Sequence, residues 1–283
     1  LEASKAWSKA EMIAPKQFRE EISPYFNANP KKYISALVSE DCWQATPGKV
    51  VDLVRNLGIA AGGTVMEDCR VLEACREGKY TSVLVQTHDK KYVEYRTEHF
   101  VNALGSGAGK LCDSMGIDAG LYPVRHQAFI TRRLPMLGKH GTNLDMLIDR
   151  QDYKGFSAVY GQQIAYTGQI IGCASPKLDA MRIDKNLKVN TKAFLEIVSE
   201  MFSEWIPDLA GVGIQAVWAG YYTEPRYIVD PELGLFVGMR GHGFMLSQYI
   251  ARMYVDKLLG RPVPEYFEKL KLNGPGLSEK AFK

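Results

Sequence analysis

The chain has 283 residues, and its 35 Lys and Arg against 32 Asp and Glu give a formal net charge of +3. Apolar residues make up 46% and charged residues 24% of the sequence, a globular composition that excludes intrinsic disorder. No run of about 18 uninterrupted apolar residues occurs, so we expect no membrane span. So small and scattered a charge argues against nucleic-acid binding.

The cysteines indicate a reducing compartment. There are five, none in a CxxC pair: Cys42, Cys69, Cys75, Cys112 and Cys173. An odd, scattered set is typical of free thiols rather than of disulfides or a zinc site. We therefore expect a cytoplasmic protein, or one of the mitochondrial matrix if the source is eukaryotic.

The first half of the chain mixes helices with a strand meander. Residues 1–40 are predicted to be a helical lead-in that prolines break into short pieces. A helix is predicted from Thr46 to Ile59, because Thr46 can cap it and a proline follows. A buried strand over 98–103 and a helix over 108–115 come later. Before that strand, three meander strands are predicted at 69–72, 82–87 and 92–97, because turn residues separate them.

The second half is rich in strands. Four segments between 121 and 175 predict one antiparallel sheet: VRHQAFIT, MLID, FSAVYG and QIIGCA. Apolar residues recur at helical spacing over 191–205 and predict an amphipathic helix. Strands over 215–222 and 235–237 then precede a predicted helix at 243–259.

Two glycine-rich segments, at 102–109 and 238–245, each lie between a predicted strand and a predicted helix. Backbone N–H groups at such a turn can approach a phosphate or a flat ligand, and the helix dipole favours an anion. A reduced flavin is such a ligand, and Arg240 and His242 would add positive potential. In both segments the glycines could instead serve only a tight turn.

Several single residues have two interpretations. His126, beside an arginine, is either catalytic or one polar residue of an alternating strand. Arg226 could bind a substrate carboxylate through paired hydrogen bonds or be a solvated loop residue. Tyrosines on strands usually pack, although some could line a small-molecule pocket: Tyr160, Tyr166, Tyr221, Tyr222 and Tyr227.

The order of these segments resembles the FAD-dependent oxidoreductases of the D-amino-acid oxidase superfamily. The nearest branch holds sarcosine, dimethylglycine and proline dehydrogenases and glycine oxidase. The resemblance covers about residues 5–275, and its most specific blocks are GHGFM at 241–245 and VNALGSGAGKL at 101–111. It implies an α+β fold in which an α/β flavin-binding domain of the glutathione-reductase type is interleaved with a large antiparallel-sheet substrate domain.

The resemblance also implies domain boundaries and residue roles. The flavin-binding part would comprise 41–118 and 223–283, and the substrate domain 119–222. Val71 would lie by the adenine of FAD. The turn near the pyrophosphate would be Ala103, Leu104 and Gly105. The loop under the flavin ring would be Gly241, His242, Gly243, Phe244 and Met245, and the substrate side would be walled by Tyr222 and Arg226.

The implied reaction is oxidation of the C–N bond of an N-methyl or secondary amino acid. Hydride passes to the flavin, and water hydrolyses the imine that forms. The family's oxidases often carry a lysine where this chain has Gln169–Gly172, so we expect a dehydrogenase with an unidentified electron acceptor. Sarcosine oxidases have a lysine where Met245 stands and a flavin-linking cysteine near Gly220, so we expect non-covalent FAD.

One departure concerns the start of the chain. Family members begin with a βαβ unit bearing GxGxxG, and none precedes Trp7. We expect the missing segment to be on the order of a hundred residues or more, since the fingerprint unit alone spans about 30.

The alternative hypothesis is a non-catalytic binding or assembly protein that keeps the fold without activity. The missing fingerprint and the absent lysines favour it. Chemistry on tRNA is a third hypothesis, which the low net charge disfavours. Expected partners are a small amine or amino-acid substrate, and either a second copy or a partner subunit.

Overall fold

The computed structural model describes residues 10–23, 25–27, 29, 31–39, 43–135, 137, 144–149, 156–164, 167–176, 191–207 and 210–276. The chain divides into two compact units, each made of two stretches of sequence. The first comprises Leu1–Gln44 and Arg125–Gly220, and the second Ala45–Val124 and Tyr221–Lys283. The assignment of substrate and flavin-binding domains stays a prediction.

The start of the chain contradicts the predicted helical lead-in over residues 1–40. Strand β1 (Ala10–Ile13) pairs antiparallel with β2 (Ala36–Ser39), and helical residues within the described part are confined to 15–22. Pairing with residues far along the chain satisfies the backbone there, while the prolines prevent a long helix.

Helix α1 (Pro47–Ala60) confirms the helix predicted from Thr46. Its apolar side chains, however, are not buried in the described part of the structure. The following are 43% to 61% exposed: Val51, Leu53, Val54, Leu57 and Ile59. Helix α1 therefore contributes little burial of apolar surface within its unit.

The predicted meander is confirmed as a three-stranded antiparallel sheet. Its strands are β3 (Arg70–Glu77), β4 (Tyr80–Gln86) and β5 (Tyr92–Thr97), in that spatial order. Helix α2 (Ala108–Ser114) packs on the sheet through Leu111, which shares a buried cluster with Ala74, Val83 and Val85.

The buried strand predicted over 98–103 does not form. Within the described ranges this stretch makes one isolated bridge, in which Asn102 pairs parallel with Leu235, and Val101 is 43% exposed. A regular strand needs a repeating ladder of backbone hydrogen bonds to a neighbour. The pairing with Leu235 is limited to that one bridge, so the ladder does not extend along 98–103.

The large antiparallel sheet confirms the α+β class. Its strands are β6 (Tyr122–Thr131), β7 (Leu147–Asp149), β8 (Phe156–Ile164), β9 (Gln169–Pro176) and β10 (Ile214–Glu224). They lie in the order β10-β6-β9-β8-β7, and the pairs β6–β9, β9–β8 and β8–β7 are antiparallel.

Helix α3 (Thr191–Trp205) covers this sheet, as its apolar periodicity predicts. Phe194, Phe202 and Trp205 are buried with Phe129 of β6 in one cluster. The rings of Phe129 and Phe202 meet edge to face, with centroids 5.2 Å apart. This aromatic cluster is the core of the first unit.

The C-terminal part supplies a hairpin and a long helix. Strands β11 (Ile228–Asp230) and β12 (Leu235–Val237) pair antiparallel. They lead through a 3-10 turn at Arg240–His242 into helix α4 (Gly243–Leu258), and a 3-10 helix follows at Glu265–Leu270. None of the helices in the described ranges is long and apolar enough to cross a membrane.

Candidate cofactor and active site

Two glycine-rich turns follow the carboxyl ends of two chain segments that pair in parallel. The N–H of Asn102 donates to the carbonyl of Gly234 at 2.7 Å, and the N–H of Phe236 donates to the carbonyl of Asn102 at 3.0 Å. Because the two segments run parallel, the chain leaves both toward the same side. The turn at 103–107 and the turn at 238–242 therefore begin side by side within the second unit.

The first turn is organised by the buried side chain of Asn102, which is 1% exposed. Its Nδ2 donates to the carbonyl of Ala108 at 3.1 Å, and its Oδ1 accepts from the N–H of Leu104 at 3.2 Å. Ala103, Leu104 and Gly105 are exposed on the turn. The buried side chain of Asn102 thus stabilises this exposed turn through hydrogen bonds to its backbone.

Gly105 makes the first turn accessible to a ligand. Its φ of +54° lies in the left-handed region, and a Cβ there would meet nothing within 4 Å. The backbone at Gly105 therefore faces open space, which leaves room for a group such as a phosphate. Val71, predicted to lie by the adenine, is half-buried on β3 next to a bulge between Val71 and Glu73.

The second turn is held by an ion pair. Arg240 Nε donates to Glu224 Oε2 at 2.5 Å, and the side chains are 23% and 10% exposed. Arg240 has a φ of +49°, a left-handed conformation that is uncommon for a residue with a side chain. Glu224 therefore fixes the guanidinium at the end of β10.

The next two residues of the turn contact the same segment. A Cβ on Gly241 would lie 2.7 Å from Cε2 of Tyr222, so this glycine permits the tyrosine ring to lie against the turn. Tyr227 Oη and His242 Nδ1 are hydrogen-bonded at 2.5 Å, and Tyr227 is 6% exposed. Each residue of the turn from 240 to 242 therefore contacts a residue between 222 and 227.

Helix α4 begins directly after this turn, at Gly243. The first N–H groups of a helix have no intrahelical acceptor and carry the positive end of the dipole. Phe244 and Met245 are 46% and 67% exposed. The predicted flavin-loop residues Gly241–Met245 thus form one continuous turn and helix start.

Arg226 has a different environment from the one predicted. Its Nη1 donates to the carbonyl of Gly274 at 2.9 Å, and its Nη2 donates to the carbonyl of Leu272. The guanidinium therefore anchors the C-terminal segment of the second unit. A role for Arg226 at a substrate carboxylate stays a prediction.

His126 lies in the first unit, on β6, and is 9% exposed. Burial lowers the pKa of His126 to about 4, because desolvation disfavours the imidazolium. The ring is therefore neutral at pH 7, and such a pKa makes a weak general base there. Its catalytic role stays a prediction.

The two buried thiols, Cys112 and Cys173, are poorly suited to nucleophilic chemistry. Burial raises the pKa of the Cys173 thiol to about 11 and also raises that of Cys112. Among the described residues, no group of three or more His, Cys, Asp or Glu converges as a metal site. Cys42 and Tyr166 lie outside the described residues.

The sequence does not single out Asn102 or Glu224 as positioning residues of this site, and it indicates Tyr227 only as a packing or pocket-lining residue. Asn102 was read only as part of a glycine-rich segment. The contacts of Glu224 and Tyr227 join residues 15 or 16 positions apart, through a turn whose path the sequence does not specify. An acidic residue just before the Pro-Arg-Tyr segment was the available signal.

The sequence matches a family of known proteins. Residues 2–257 match the family described as FAD dependent oxidoreductase (DAO), and the chain therefore belongs to that family. No curated protein matches the sequence significantly.

Solved structures show the same fold. L-proline dehydrogenase from P. horikoshii has a TM-score of 0.75 and 24% identity, over 95% of this chain and 69% of that one. Glycine oxidase from Geobacillus kaustophilus has a TM-score of 0.71 and 16% identity, and the match covers 95% of this chain and 68% of that one. Iminodiacetate oxidase from Chelativorans sp. BNC1 has a TM-score of 0.65 and 14% identity, and the match covers 98% of this chain and 70% of that one.

Proposed function

We propose that this FAD-dependent oxidoreductase oxidises the C–N bond of a secondary or N-methyl amino acid. The observation that carries the proposal is the pair of glycine-rich turns that begin side by side at the Asn102–Leu235 bridge. A dinucleotide cofactor needs contacts at two places, its pyrophosphate and its ring system, and two adjacent turns suit that requirement.

The residues present fit part of FAD. The open backbone at Gly105 suits the pyrophosphate, and the first turn of α4 suits the negative end of a flavin ring. Val71 would contact the adenine, and the cofactor would be held without a covalent bond. A βαβ unit with the GxGxxG fingerprint would complete the site.

When bound, FAD supplies the hydride acceptor. The chain's own residues bind and orient it: the N–H groups at the start of α4 supply positive potential, and Tyr222 and Tyr227 keep the turn before α4 in place. Exposed Phe244 and Met245 offer apolar surface beside that turn. Tyr222 would also face the substrate side.

The start of β9 supports electron transfer to an acceptor other than oxygen. The family's oxidases often carry a lysine where this chain has Gln169–Gly172, and Gln169 Nε2 donates to Gln215 Oε1 at 2.7 Å and to the carbonyl of Thr131 at 3.1 Å. None of the four residues from Gln169 to Gly172 carries a positive charge that could activate oxygen. We therefore propose a dehydrogenase. Free thiols among the described cysteines are compatible with the cytoplasm.

The test is anaerobic reduction of the full-length purified protein. Proline, sarcosine and dimethylglycine are added in turn, and the flavin absorption band is followed. Glycine, the unmethylated counterpart of sarcosine and dimethylglycine, is the comparison. Bleaching by one secondary or N-methyl amino acid supports the proposal. Rapid return of the band when air is admitted would instead indicate an oxidase.

The second candidate is a binding or assembly protein without activity. Two observations favour it: His126 is neutral and buried, and the Arg226 guanidinium is bound to backbone carbonyls. A protein that binds FAD but whose band is bleached by none of the amines in the panel would support this candidate.

A further inference from the structure

A carboxylate with no role in the sequence analysis lies against the turn proposed to face the flavin. Glu224, the last residue of β10, accepts a hydrogen bond from Nε of Arg240 at 2.5 Å. Only 10% of the Glu224 side chain is exposed, and 23% of the Arg240 side chain. Charges this shielded act over a longer range than surface charges, because less water screens them.

We propose that Glu224 is a positioning residue that offsets the charge of Arg240 and thereby sets the electrostatic potential at the flavin. The inference rests on the proposed function. It revises the expectation that Arg240 adds positive potential to the loop. The N-terminus of α4 would then be the main positive feature facing the ring.

The conformation of the turn supports a fixed position for the pair. Arg240 adopts a left-handed φ of +49°, which persists in a residue with a side chain when surrounding contacts stabilise it. Gly241 lies against Tyr222 and His242 is hydrogen-bonded to Tyr227, so the two residues that follow Arg240 are fixed as well. The two charges therefore stay together beside the start of α4.

The charge argument predicts opposite effects for the two partners. Glu224→Gln removes one negative charge, which should strengthen the binding of anions and stabilise the reduced, anionic flavin. Arg240→Gln removes one positive charge and should disfavour both. The double variant restores the balance, so its flavin should resemble that of the wild type.

The experiment uses the FAD-loaded full-length protein and these three variants. The dissociation constant of sulfite, an anion that binds oxidised flavin, and the midpoint potential of the flavin are both measured. Glu232→Gln is the matched control, since Glu232 is 71% exposed and pairs with Lys271 at 2.8 Å away from the turn.

We expect Glu224→Gln to bind sulfite about tenfold more tightly, the order expected for a unit charge acting over ~10 Å in a partly shielded site. For a two-electron couple, tenfold corresponds to a potential higher by about 30 mV. Arg240→Gln should shift both quantities the other way, and the double variant should lie within about twofold of wild type. Glu232→Gln should change neither.

Shifts in the same direction for both single variants, or no shift in either, would overturn the inference, because a merely structural pair would weaken the site alike from both sides. If Glu224→Gln does not fold, Arg240→Gln and the double variant still decide the sign. Failure of the wild type itself to bind FAD would overturn the proposed function, and this inference with it.

Discussion

Asn102 and Leu235 form a parallel bridge that sets two glycine-rich turns side by side. Asn102 is almost fully buried, and its amide also bonds to the backbone of Leu104 and Ala108. One residue therefore connects the β12 segment, the turn at 103–107 and the start of α2. The candidate cofactor site is built around this connection.

Replacing Asn102 with alanine should loosen the first turn. The backbone N–H of Leu104 and the carbonyl of Ala108 would each lose a partner, at a cost of about 1–3 kcal/mol each in the free energy of unfolding. We expect weaker FAD binding together with lower stability, measured by FAD titration and urea denaturation. Asn56→Ala, on the exposed surface of α1, is the control and should change neither.

Gly243→Val should abolish FAD binding. A Cβ at Gly243 would lie 2.9 Å from Cβ of Met239, so valine would displace the turn from which α4 starts. Fluorescence titration with FAD measures the effect. Gly48→Val is the matched control, because Gly48 also lies in the first turn of a helix and its Cβ would meet nothing within 4 Å. Normal flavin occupancy in Gly243→Val would remove this turn from the site.

Arg226→Lys should destabilise the protein without altering substrate affinity. The guanidinium donates to the carbonyls of Leu272 and Gly274 through two nitrogens, and a lysine cannot make both hydrogen bonds with that geometry. The loss should lower the free energy of unfolding by about 1–3 kcal/mol. Urea denaturation and the KM for the amino acid separate the two roles. A large rise in KM at unchanged stability would assign Arg226 to the substrate carboxylate instead.

Stability should rise with pH between about 4 and 6.5 because of His126. Burial lowers its pKa from 6.5 to about 4, so over this interval the unfolded chain binds a proton that the folded chain does not. The contribution is on the order of 3 kcal/mol and is lost as the pH falls. Urea denaturation at pH 7 and pH 5 should show the loss in wild type and much less of it in His126→Gln. His88→Gln, in an exposed turn, should keep the wild-type slope.

FAD should leave the protein when it unfolds. Gly220 stands near the position of the flavin-linking cysteine of sarcosine oxidases, and glycine cannot form such a bond. Unfolding the holoprotein in guanidinium chloride and filtering it should carry all the flavin into the filtrate. Flavin retained with the chain would point to attachment through another residue.

Strongly periodic segments were predictable from the sequence. The apolar spacing over 191–205 gave the bounds of α3, because a helix face that packs on a sheet must repeat every three or four residues. The meander followed equally from its turn residues.

Two segments were not predictable, because distant pairing decides their structure. Residues 10–13 become a strand through residues 36–39, and residues 98–103 fail to become one although Phe100 and Val101 at their centre are strand-forming residues. The glycine blocks located the candidate site. The contacts of Glu224 and Tyr227 with that turn depend on how the hairpin brings residues 222–227 back to it, which no local pattern encodes.

The visible absorption spectrum of the full-length protein, as purified and after incubation with FAD, tests the central claim most directly. We expect a flavin band that stays with the protein through gel filtration and disappears in Gly243→Val. A protein that remains colourless after incubation with FAD would contradict the account.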